Sequence, residues 1–128
     1  MVKTSLVEHD IQEGRKLIQS LDLAGLRINA ALWLFIPESS EWRLTIATPL
    51  VDEKGPLYTY RQVLRVLNSI SPPLSISIQN IAAISPNDSL VQQVKGAVRT
   101  GRSLEGIRFT RNFLKNSYIE DAYLYRVA

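Results

Sequence analysis

Two apolar runs on either side of a short polar turn constrain this chain more than any other feature. In RINAALWLFIPESSEWRLTIATPLV, residues 27–51, PESS supplies a proline and two serines that suit a turn, and the flanking segments read as strands. Pairing them about that turn sets Ile36 beside Trp42, Leu34 beside Leu44, Leu32 beside Ile46 and Ala30 beside Thr48. The even-numbered face is then almost wholly apolar and is expected to face the core. Trp33 and Phe35 fall on the other face with Arg43 and Thr45. Two large aromatics there require cover by a helix or by a second copy of the chain.

A second hairpin closes the sequence, with strands expected at about residues 105–114 and 118–127. Centring its turn on Asn116, a residue that tolerates the left-handed conformation, sets Ile107 opposite Tyr125, Phe109 opposite Tyr123 and Phe113 opposite Ile119. Phe109 and Phe113 are expected in the core. Arg111 then falls opposite Asp121, and the two charges that interrupt the apolar rhythm become one cross-strand ion pair that fixes the register.

Between the hairpins the pattern changes to helix, strand and helix. Asp10 with Glu13 three residues later predicts a first helix on which Ile11, Gly14, Ile18 and Leu21 recur at helical spacing with Leu17 beside them, fading near Leu23 to Gly25; Gly14 either marks close packing or only weakens the helix. Pro56 suits the first turn of a second helix, with Tyr60, Val63, Leu64, Leu67 and Ile70 as its buried stripe. LSISIQNIAAI reads as a strand, increasingly apolar and so expected in the middle of the sheet. Ser85 is expected to cap a third helix that buries Leu90, Val91, Val94 and Val98, with Gly101 as a left-handed terminator. The order α-β-β-α-β-α-β-β predicts an α+β fold: one mixed five-stranded sheet with packed helices, forming a single domain over residues 1–128.

The chain has 128 residues, of which 45% are hydrophobic and 21% charged, enough for a core without metal or disulfide support. With no cysteine, disulfides, thiolate metal sites and cysteine nucleophiles are excluded. The longest apolar run, AALWLFI, is seven residues, far short of a membrane span, and MVKTSLVEHD has no leader-like apolar stretch, so a cytoplasmic protein is expected. The net charge of +3 is uneven. Residues 95–117 hold Lys95, Arg99, Arg102, Arg108, Arg111 and Lys115 against Glu105 alone.

Catalytic patterns are sparse. GAVRTGRS, residues 96–103, matches a phosphate-binding loop except for Arg102 in the lysine position, but it follows a helix and precedes a strand, the reverse of the order that loop requires. His9 is the only histidine, lies between Glu8 and Asp10, and has no nucleophile motif to serve. One histidine without cysteine leaves no zinc site, and no cofactor or metal is expected. VDEK places Asp52 and Lys54 at the end of a strand and resembles the (D/E)-x-K element of restriction-endonuclease-like nucleases. That chemistry needs another carboxylate close by, and Glu38 and Glu41 lie roughly 35 Å away along the hairpin. Asp22 comes nearer only through the fold.

The stretch ALWLFIPESSEWRLTIATPLVDEKGP, together with the closing IEDAYLYRV, resembles small bacterial proteins classed as domains of unknown function. The resemblance spans most of the chain, carries no activity over, and implies a bacterial cytosolic protein rather than an ordinary enzyme.

With no converging acid, base and nucleophile, the expected function is that of a non-enzymatic binding module. The candidate binding residues are Arg99, Arg102, Arg108 and Lys115, which could present a positive patch to an acidic protein partner or to nucleic acid. The alternative is a metal-dependent nuclease using Asp52 and Lys54. Neither a monomer nor a homodimer is singled out.

Overall fold

The computed structural model describes residues 5–128; the reading of the first four residues lies outside it. The elements are α1 (Glu8–Leu23), β1 (Ala30–Ile36), β2 (Glu41–Ala47), α2 (Leu50–Lys54), α3 (Pro56–Ser69), β3 (Ile81–Ile84), α4 (Ser89–Ala97), β4 (Ile107–Phe113) and β5 (Tyr118–Val127). The strands form one mixed sheet in the order β3-β2-β1-β5-β4. β1 runs antiparallel to β2 and β5, β4 antiparallel to β5, and β2 parallel to β3. This is the expected α+β architecture, with the short α2 as an added element. The third strand is shorter than expected and lies at an edge, because a 3-10 turn at Ile78–Asn80 takes up the first part of its run.

Both faces of the sheet are covered. On one side Leu17, Ile18 and Leu21 of α1 and Val63, Val66 and Leu67 of α3 pack on Trp33, Trp42, Leu44, Ile46 and Tyr125. On the other, Val91 and Val94 of α4 pack on Leu32, Ala47, Ile119, Ala122 and Leu124. The covering helix expected over Trp33 is α1, and Trp33 is 4% exposed.

The first hairpin is one residue out of the expected register. Ile36 pairs with Glu41, Phe35 with Trp42 and Trp33 with Leu44, so Trp33 shares a face with the even-numbered residues of β2. The loop is the four residues 37–40, whose Ser39 and Ser40 amides donate back to Ile36 and Pro37, and Ser40 takes φ 53° to rejoin the strand. A loop with an even number of residues cannot be centred on one residue, and a slip of one exchanges the faces of a strand.

Helix details also shift. Asp10 lies within the first turn of α1 and accepts from the Val7 amide at 3.1 Å, whereas Glu13 accepts from the Ser75 amide across the fold. On α3, Val66 is buried where Leu64 was expected; Leu64 is exposed. Asp88, not Ser85, caps α4 by accepting from the Leu90 amide at 2.9 Å, and the helix ends at Ala97, ahead of Gly101.

Candidate functional site

β2, β3 and β5 all end at the same margin of the sheet, where β1 begins. Such carboxyl ends are where open sheets most often build sites, because the connecting loops diverge there. A cleft of about 530 Å³ opens at this margin, lined by Asp22, Gly25, Leu26, Arg27, Arg102 and Arg126.

Three segments far apart in sequence build it. α1 ends as the Leu26 amide donates to the Leu21 carbonyl around Gly25, whose φ of 87° favours glycine; the turn leaves Asp22 on the last helical turn and Arg27 just beyond. β5 contributes Arg126 through an irregularity in its pairing with β1: Ala31 faces Arg126 while Leu32 faces Leu124, so Tyr125 is the extra residue. This bulge lets consecutive side chains turn toward α1. Tyr125 donates its hydroxyl to the Ile11 carbonyl, and Arg126 reaches Asp22. Arg102 arrives on the segment joining α4 to β4, which the end of β5 holds in place. The Thr100 amide donates to the Val127 carbonyl at 3.0 Å, the Val127 amide donates to the Thr100 hydroxyl at 2.9 Å, and the Glu105 amide donates to the Tyr125 carbonyl.

The three arginines differ in state. Arg126 is 4% exposed; its terminal nitrogens donate to both Asp22 oxygens at 3.0 and 2.8 Å and to the Ile28 carbonyl at 3.1 Å, while its Nε is buried without a partner. Arg27 and Arg102 are exposed and, among the described residues, make no hydrogen bond or ion pair. Three guanidinium groups against the single Asp22 carboxylate leave the lining at a formal +2. Beyond the Gly25–Arg27 loop a smaller depression of about 320 Å³ adds Glu53 and Tyr58 at its far wall. The cleft lining offers three guanidinium groups, the Asp22 carboxylate already held by Arg126, and backbone; none of its side chains is a hydroxyl, thiol or imidazole.

The candidate residues read from the sequence separate. Arg102 lines the cleft. Arg99 is exposed just after α4. Lys115 lines a different depression, between α4 and the β4–β5 turn, beside Phe113. Phe113 is 82% exposed rather than in the core and packs at a tilt against Tyr118 with centroids 4.7 Å apart. Arg108 is committed: its Nε and Nη2 donate to the two Asp121 oxygens at 2.6 Å, and its guanidinium lies 5.7 Å from the Trp42 ring centroid. The hydrogen bond to Asp121 raises the Arg108 pKa above its ordinary value. Asp121 is thus paired, but with Arg108 and not Arg111. The hairpin closes one residue short of the expected register, with Phe113 opposite Tyr118 and Thr110 opposite Asp121, and Arg111 takes φ 50°.

Asp52 and Lys54 sit on the short helix α2, not at a strand end. The Ser85 hydroxyl donates to Asp52 at 2.9 Å, and among the described residues no group of three metal-ligating side chains forms around it.

Arg27 and Arg126 were not singled out from sequence. Arg27 lies outside the basic segment. Arg126 had a signal in AYLYRV, since a lone charge in a buried strand end implies a buried partner, but its face depends on the bulge. No family model, curated protein or solved structure matches the chain. Among the described residues no helix is long and apolar enough to cross a membrane.

Proposed function

We propose that the protein is a cytoplasmic, non-enzymatic binding module that holds an anionic group of an acidic partner in the arginine cleft. The observation that carries this reading is the presence of two guanidinium groups without a partner among the described residues, Arg27 and Arg102, on one concave surface beside a third. Like charges gathered in a cleft repel one another and focus a positive potential, and an anion relieves that cost. Arginine suits the task because its planar fork gives paired, charge-assisted hydrogen bonds to carboxylate or phosphate. Arg102 belongs to the basic late segment; Arg27 and Arg126 come from the rest of the fold.

The test is fluorescence anisotropy of a labelled glutamate-rich peptide with the wild type and with the double charge reversal Arg27→Glu/Arg102→Glu. Binding that weakens as salt rises and is lost in the double variant is expected. Absence of binding at low salt, or binding indifferent to the reversal, overturns the reading.

A further inference from the structure

We propose that the anion the cleft is built for is a phosphate monoester dianion. This deepens the reading above and rests on it. The formal +2 of the lining is the argument: a carboxylate or a phosphodiester brings one negative charge, whereas a monoester phosphate carries close to two at neutral pH, with three acceptor oxygens. Arg126 is already bidentate to Asp22, so it forms the floor, and its charge is answered within the protein. Arg27 and Arg102 remain, each exposed and each able to offer a fork of donors to adjacent phosphate oxygens. A volume of about 530 Å³ lies within the range of small-ligand clefts, leaving room for the phosphate and the first atoms of the group bearing it.

The two guanidinium groups are also placed by separate, anchored segments. Arg27 follows the Gly25 turn of α1, and Arg102 lies between Thr100 and Glu105, both hydrogen-bonded to the end of β5. The backbone that carries each arginine is thus held, so the ordering that binding requires is confined largely to the two side chains. The charged and titratable groups around the site are Asp22, Arg27, Arg102 and Arg126, with Glu53 and Tyr58 across the Gly25–Arg27 loop; no histidine lines either depression. A pH step in binding between pH 5 and 7.5 therefore reports the second ionisation of the ligand, near pH 6 for a monoester and somewhat higher for inorganic phosphate.

The experiment is calorimetric titration of the whole chain with inorganic phosphate, sulfate and acetate at pH 5.0 and 7.5. Phosphate is expected to bind about tenfold tighter at pH 7.5, as the second charge appears; sulfate, a dianion at both, should be unchanged, and acetate should be at least about tenfold weaker. Arg27→Gln/Arg102→Gln should remove phosphate and sulfate binding alike with an unchanged melting midpoint, since both side chains are exposed. Phosphoserine peptide and sugar phosphate arms then assign the group to a protein or a small metabolite by which of them binds more tightly. Acetate matching phosphate, with no pH step, overturns the dianion while leaving the anion cleft standing. No binding by any anion, together with no binding of the acidic peptide, overturns both.

Discussion

A methyl group added at Gly14 would overlap the Tyr125 hydroxyl and stand 2.7 Å from Trp33 Nε1. That hydroxyl is fixed on two sides, accepting from the Trp33 indole at 3.0 Å and donating to the Ile11 carbonyl at 2.6 Å. Burial raises the Tyr125 pKa above the ordinary tyrosine range, so the hydroxyl stays a donor at neutral pH. The absence of a side chain at Gly14 thus lets α1 approach the sheet closely enough for the helix backbone to serve as acceptor. Gly14→Ala is expected to destabilise by about 2 kcal/mol in urea denaturation, because Tyr125 is wholly buried and has nowhere to move. Gly106 is the control: a methyl there would meet the Tyr123 hydroxyl, but Tyr123 is only partly buried and can turn aside. Equal losses at the two positions would refute the argument. The helical spacing of residues 11–21 puts Gly14 on the stripe that faces the sheet, but it does not decide between close packing and a mere weakening of the helix, because the Tyr125 hydroxyl above it comes from a strand more than a hundred residues away.

At the scale of elements, both hairpins miss their sequence-derived registers by one residue, and for one physical reason. Each closes through four residues, 37–40 and 114–117, whereas a turn centred on a single residue implies an odd loop. Apolar alternation could not reveal the error in the first hairpin, because helices cover both faces of the sheet and every position of AALWLFI is apolar. In the second, the charges should have been decisive, but Arg108 reaches diagonally to Asp121 from opposite Tyr123, so a plausible pair formed with the wrong arginine. Arg111, left over at φ 50°, lies on the sheet's outer strand, where an irregular backbone discourages pairing with another edge. The Arg108 and Asp121 side chains are 44% and 23% exposed, which limits what the bidentate contact contributes. A double-mutant cycle on Arg108→Ala and Asp121→Ala is expected to give a coupling of about 1 kcal/mol, and the cycle with Arg111→Ala about zero. Coupling to Arg111 instead would restore the original register.

Across the whole molecule, what the sequence made legible was the order of the elements and the chemistry of one side of the cleft. Arg102 was marked by its place in a run of cations; Arg27 and Arg126 were brought to it by a helix-ending turn and a strand bulge, neither of which leaves a periodic signal. The same architecture predicts uneven stability. β1 is hydrogen-bonded on both edges and covered on both faces, with Ala31 and Leu32 buried. β4 has one free edge, mostly exposed side chains and the break at Arg111. Local opening should therefore release β4 without disturbing the centre, and its amides are expected to exchange roughly a hundredfold faster than those of β1 and β2. The segment carrying Arg102 shares this weaker side, tied to β5 through Thr100 and Glu105. An anion in the cleft would join that segment to α1 through Arg27 and to the pair of buried Arg126 and half-buried Asp22. Hydrogen exchange with phosphate at saturation should then slow residues 99–106 and 24–27 and leave β1 unaltered. Protection spread evenly over the sheet would mean that the ligand stabilises the fold from elsewhere, and equal exchange in β4 and β1 without ligand would show that the outer strand opens only with the whole.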